Sequence, residues 1–146
     1  MPAAGETIIA GRVPGERIAT QIDTSDTSGF TTTETVLTTV TAPLVSGRTY
    51  RVRFVSLIRS TVADDDINAR IRQDNVTGTE VFVSQFEINT NTSLGVVVII
   101  EAEYTATATA DKTFVATGVR TTGSGTITAR GAAAAPRQLY VDYIRG

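Results

Sequence analysis

In the segment that follows Ser46-Gly47, Tyr50, Val52, Phe54 and Ile58 alternate with Arg51 and Arg53. Side chains on an extended chain point to opposite faces with a period of two, so this spacing puts the apolar groups on one face and the guanidinium groups on the other. A helix would spread the same residues around its circumference. The period returns in Ile67, Ala69 and Ile71 against Asn68, Arg70 and Arg72, and again in Leu139, Val141 and Tyr143 near the C-terminus. No segment carries the 3.6-residue period of an amphipathic helix. Ribbons with one wet and one greasy face bury the greasy face by pairing into sheets and stacking the sheets.

The remaining segments fit that scheme. Residues 31–41 are almost entirely β-branched, which suits a pleated surface, and Pro43 is expected to end that strand. Asp64-Asp65-Asp66 reads as a turn, as do Asn75 and Gly78, with Val81, Phe82, Val83 and Phe86 in the strand that follows. The run Val96-Val97-Val98-Ile99-Ile100 predicts a strand buried on both faces, continuing with Ala102 and Tyr104 inward and Glu101 and Glu103 outward. Phe114 to Val119 is a further strand, and Gly123-Ser124-Gly125 predicts a hairpin into Thr126-Ile127-Thr128-Ala129. Gly131 to Pro136 is a small-residue linker before the last strand.

About eight strands at spacings of roughly ten residues predict an all-β fold, a two-sheet antiparallel sandwich of jelly-roll type, with a closed barrel as the alternative. The first thirty residues differ, because Gly5, Gly11, Pro14, Gly15 and Gly29 interrupt short apolar pairs. They predict an extended N-terminal arm over residues 1–30, anchored by Ile8, Ile9, Val13 and Ile18, ahead of a sandwich over residues 31–146. A first edge strand of the same domain is the other reading of this segment.

Composition narrows the chemistry. With 146 residues, 41% apolar and 19% charged, the chain has material for one core and too little charge for a disordered polyelectrolyte. A net charge of −2, with both signs interspersed, offers no basic field for nucleic acid. The start Met1-Pro2-Ala3-Ala4-Gly5-Glu6 lacks the features of a secretory signal, and no apolar run approaches a membrane span, so a soluble chain without a membrane partner is expected. There is no cysteine and no histidine, which removes the thiolates, the commonest metal ligand and the commonest general base. No enzyme and no cofactor are expected.

Several clusters carry a functional alternative beside a plain one. Asp64, Asp65 and Asp66 offer oxygen ligands to a calcium ion but lack the spacing of an EF-hand, and a solvated turn is the simpler account. Glu101 and Glu103 form a carboxylate pair only if an opposing carboxylate approaches from elsewhere; otherwise they face arginines across strands or subunits. Arg51, Arg53, Arg70 and Arg72 read as solubilising groups, cross-strand partners or an interface gripping a partner's carboxylates. Of the four tyrosines, Tyr50, Tyr104 and Tyr143 fall on core faces, which leaves one exposed platform for a sugar. Asn75-Val76-Thr77 and Asn91-Thr92-Ser93 match the glycosylation pattern by coincidence.

The segments Thr33-Glu34-Thr35-Val36, Leu44 to Arg53, Glu101-Ala102-Glu103-Tyr104 and Gln138 to Ile144 resemble small β-rich virion proteins of tailed phages infecting actinobacteria. The resemblance implies a virion component, made in the host cytoplasm. It would be a capsid decoration protein that cements shell subunits, or a tail or head-fibre part, often trimeric. Partners would be further copies of itself and the major capsid or another virion protein. The arm residues and the four arginines would supply the contacts. A free carbohydrate-binding or adhesin-like sandwich, recognising a host glycan, is the competing class.

Overall fold

A computed structural model of the chain describes residues 13–89 and 94–146. Ile8, Ile9 and Asn91-Thr92-Ser93 lie outside the described residues. Among those described, nine strands succeed one another: β1 Arg17–Asp23, β2 Thr35–Leu44, β3 Thr49–Ser60, β4 Asp65–Gln73, β5 Glu80–Ile88, β6 Val96–Thr105, β7 Ala110–Thr122, β8 Ile127–Ala129 and β9 Arg137–Arg145. They form two antiparallel sheets, one in the order β1-β9-β3-β6 with β8 added on β3, the other in the order β2-β7-β4-β5. Consecutive strands mostly alternate between sheets, and the orders are those of a jelly roll. The expected fold class is the observed one.

The core lies between the sheets. Tyr50, Val52, Phe54 and Ile58 of β3, Ile67, Ala69 and Ile71 of β4, and Leu139, Val141 and Tyr143 of β9 are all buried, as their alternation predicts. Phe114 and Val98 fill the layer between them, and Tyr104 meets Phe114 edge-on with ring centroids 5.1 Å apart.

Four local expectations change. Pro43 does not end β2, which pairs with β7 through Leu44; β2 is an edge strand, where a missing N–H costs no ladder bond on the open side. Gly123-Ser124-Gly125 is no hairpin: β7 belongs to the smaller sheet and β8 to the larger, so the loop crosses between layers. The run Val96–Ile100 is buried on one face only, with Val97 59% and Ile99 46% exposed, because β6 is the edge of its sheet and nothing in the described chain covers its outer side. The boundary at residue 31 also moves. Arg17–Asp23 pairs with β9 as β1, Ile18 packs against the core and Phe30 is buried within it. Over these residues the segment is the edge strand of the same domain.

The turn Asp64-Asp65-Asp66 holds a further surprise. Asp64 takes a positive φ of 63°, and Asp65, the first residue of β4, has 0% exposure. Its carboxylate accepts hydrogen bonds from Ser60 Oγ, from the Ser124 amide at 2.9 Å and from the Gly125 amide at 3.1 Å. Arg120 donates to the Gly125 carbonyl on the same loop. Burial would push the Asp65 carboxyl up, but the bonds from Ser60, Gly125 and Ser124, with the Arg120 charge, hold it below the usual carboxylate range. The middle aspartate of the triplet is therefore a buried clamp on the crossover loop.

Candidate functional site

The outer face of the larger sheet is built in cross-strand rows. Arg17, Asp142, Arg51 and Glu103 stand side by side on β1, β9, β3 and β6, an alternation of positive and negative groups. The next row is Thr20, Tyr140, Arg53 and Glu101. Opposite-charge neighbours on one face attract across the ladder, and the contacts follow. Arg17 Nε donates to Asp142 at 2.9 Å, Arg51 Nε lies 3.3 Å from Glu101, and Arg145 grips Glu103 with Nη1 and Nη2. That grip holds the Glu103 carboxyl below its ordinary range. Tyr140, the tyrosine expected outward, does sit on this face but is buried beneath Arg17, whose guanidinium carbon lies 3.7 Å from the ring centroid.

Two residues further along each strand the chemistry reverses. The third row is Ile22, Gln138, Val55 and Ile99, and beyond it Leu57 faces Val97. Val97 and Ile99 are exposed, and Ile22, 52% exposed, stands apart from them across Gln138. One face thus carries a closed lattice of ion pairs at one end and an uncovered apolar block at the other.

The arginines of β3 and β4 do not share a surface. Arg51 and Arg53 lie on the larger sheet, whereas Arg70 and Arg72 lie on the outer face of the smaller sheet, because β3 and β4 belong to different layers. There Arg72 donates to Glu34 from Nε at 2.7 Å and from Nη2 at 3.0 Å. Arg70 Nε donates to Glu80 at 2.9 Å, and Thr117 Oγ1 donates to Glu34 at 2.5 Å. Partial burial would raise the Glu34 carboxyl, and these donors together with Arg70 lower it overall. These two arginines are occupied within the chain.

Sequence reasoning missed Arg137. It is buried on the inner face of β9 and donates from Nε to the Leu37 carbonyl at 2.7 Å, and from Nη1 to the carbonyls of Ser25 at 3.0 Å and Ala129 at 3.1 Å. It ties the two sheets and the β1–β2 connection together. The inward phase of Leu139 and Val141 extends back to Arg137, and that phase was the available signal.

A surface pocket of about 270 Å³ opens where Tyr104, Asp74, Asp111 and Lys112 meet, with Lys112 Nζ 2.8 Å from Asp74. Among the described residues no group of three or more acidic side chains is placed to hold a metal ion, and the Asp65 carboxylate is taken up by its own loop. Asn75 Oδ1 accepts from the Thr77 amide at 2.9 Å, so Asn75-Val76-Thr77 forms a side-chain-closed turn. No helix among the described residues is long and apolar enough to cross a membrane.

No family model matches the chain, and no curated protein matches it. Solved structures do. The VP2 protein of infectious bursal disease virus, in its subviral particle, superposes with a TM-score of 0.53 at 13% identity, over 89% of this chain and 33% of that one. The insecticidal delta-endotoxin Cry8Ea1 of Bacillus thuringiensis gives a TM-score of 0.48 at 14% identity, over 90% and 20%. The CBM22-1 xylan-binding domain of Paenibacillus barcinonensis Xyn10C gives 0.41 at 7% identity, over 91% and 97%. This chain spans about a third of VP2, and at such identity the likeness shows a shared β-sandwich fold and nothing about activity.

Proposed function

We propose that this protein is a structural component of a tailed-phage virion, a capsid decoration protein that packs on the shell as a symmetric oligomer and catalyses no reaction. The observation that carries the reading is the divided outer face of the larger sheet. Val97 and Ile99 lie uncovered, with Val55 and Leu57 across from them on β3, next to charges already paired with one another. An exposed apolar block bordered by polar groups suits a lasting protein contact; Arg53 and Glu101 stand at its border and Arg51 one row behind. A fold shared with VP2, a protein of a virus particle, supports the reading. So does the resemblance of segments such as Leu44 to Arg53 to phage virion proteins, which adds the actinobacterial host, the trimeric form and synthesis in the host cytoplasm.

The test is cosedimentation with purified shells that lack the protein. Saturable binding at a fixed ratio to shell subunits is expected. Absence of shell binding together with incorporation into purified tails assigns the protein to the tail or fibre. A second reading, a glycan-binding module, draws on the pocket beside Tyr104; glycan-array binding lost on Tyr104→Ala would favour it.

A further inference from the structure

Among the described residues the four long edge strands of the sandwich are β1, β6, β2 and β5. An edge exposes unpaired amides and carbonyls, and native sheets guard such edges with bulges, prolines or charges. Three of the four are guarded. A bulge interrupts β1 between Arg17 and Ala19. β2 has one between Val36 and Thr38 and carries Pro43. β5 is bulged opposite Ile71 and Arg72, where Phe82 and Glu80 pair and Val81 is skipped. The short β8 is covered by Thr27 and Phe30, whose amides donate to Ala129 and Ile127. β6 is different. It pairs with β3 over all ten residues without a shift, and outward charge begins only at Glu101. Its first half presents Val97 and Ile99 to solvent.

We propose that the Val96–Ile100 half of β6 is a homotypic edge, at which a second copy of this chain pairs antiparallel about a two-fold axis through Val98. This inference rests on the self-association proposed for the protein and adds a two-fold contact to it: pairing of the edge with itself closes at two copies, so the three-fold contact of a trimer is a separate one, and the edge would join two trimers into a hexamer. Register selects the partner. With Val98 opposite its own counterpart, Val97 faces Ile99 of the second copy, Ile99 faces Val97, and Glu101 falls opposite Gly95, which has no side chain to oppose it. Moving the axis to Ile99 sets Val97 against Glu101, and moving it to Glu101 sets two carboxylates against each other, which repel. An axis at Val97 pairs Val97 with itself but leaves Ile99 opposite Gly95, so of these registers the one centred on Val98 sets both outward apolar residues against apolar partners while keeping the carboxylates apart. In that register the two larger sheets become one, and the blocks built from Val55, Leu57, Val97 and Ile99 meet across the seam with their outer faces on the same side.

Light scattering over a concentration series tests this. The expected result is an even-numbered assembly. Val97→Lys with Ile99→Lys should raise its dissociation constant about tenfold or more, because lysines then face lysines, while thermal unfolding changes little at these exposed positions. Register is read by mixing Val97→Cys and Ile99→Cys proteins in a chain that has no native cysteine. A disulfide-linked dimer should form in the mixture and not in either protein alone. Hydrogen exchange should slow with concentration at the β6 amides that point away from β3. A monomer at all concentrations, or a trimer unmoved by the lysines, overturns the edge contact and leaves shell binding to be judged separately. A two-fold dimer that ignores purified shells keeps the contact and removes the decoration role.

Discussion

Asp65 accepts a hydrogen bond from the amide of Ser124, 59 residues further along the chain, at 2.9 Å. The pair fixes the point at which the chain leaves the smaller sheet after β7 and enters the larger one at β8. Removing the carboxylate strands the Ser124 and Gly125 amides and the Ser60 hydroxyl in a buried place. Asp65→Ala should therefore cost about 3 to 5 kcal/mol of stability, measured by urea unfolding at neutral pH. A loss below about 1 kcal/mol, the scale of an ordinary surface substitution, would show that the clamp is dispensable.

The same carboxylate sets an acid limit. The folded-state values of Asp65 and Glu34 lie below their ordinary values of 3.8 and 4.5. Their contribution is therefore complete above those ordinary values and is lost as pH falls through the lower, folded ones. Unfolding midpoints should hold steady at neutral pH and drop below about pH 4. Asp65→Asn should flatten that drop while lowering stability throughout; an unchanged acid slope would refute the assignment.

Gly123 has φ of 89°, and a methyl group on it would overlap the Asp65 carboxylate. Gly47 has φ of 80° with nothing near its missing side chain. Gly47→Ala should cost about 1 kcal/mol, the backbone strain alone, and Gly123→Ala more than twice as much, because strain and overlap add. Equal midpoints for the two variants in thermal denaturation would contradict this.

Glu34 is held by Arg72 through two nitrogens and by Thr117. Glu34→Ala should destabilise by about 1 to 3 kcal/mol, and a double-mutant cycle with Arg72→Ala should return a coupling of about 1 kcal/mol or more. Additive losses would mean that the pair is decoration on the sheet surface.

Because Asp65 is committed to its loop, Asp64 and Asp66 are left as neighbours without a third ligand among the described residues, and Asp66 already accepts from Thr122 Oγ1 at 2.6 Å. Chelator should leave the thermal midpoint unchanged. A rise of several degrees on adding millimolar calcium would restore the metal reading of this turn.

Alternation made the layers legible. Tyr50 to Ile58, Ile67 to Ile71 and Leu139 to Tyr143 each announce an inner and an outer face, since side-chain direction in a strand follows from local geometry alone. The residues of the candidate surface were legible one at a time: Arg51, Arg53, Glu101 and Glu103 were all expected outward. Their company was not. The separation of Arg51 and Arg53 from Arg70 and Arg72 depends on which strand joins which sheet, and pairing partners such as β3 and β9 lie far apart in the chain.

What the order of residues determined by itself is the β character, the strand phases and the absence of thiol and imidazole chemistry, all properties carried by short stretches of chain. The tertiary structure alone decided that Asp65 is buried, that Arg137 bridges the sheets and that Val97 and Ile99 remain uncovered. The physical reason is common to the three. Burial belongs to what packs over a residue, so a run of valine and isoleucine reads the same in the middle of a covered sheet as at an exposed edge.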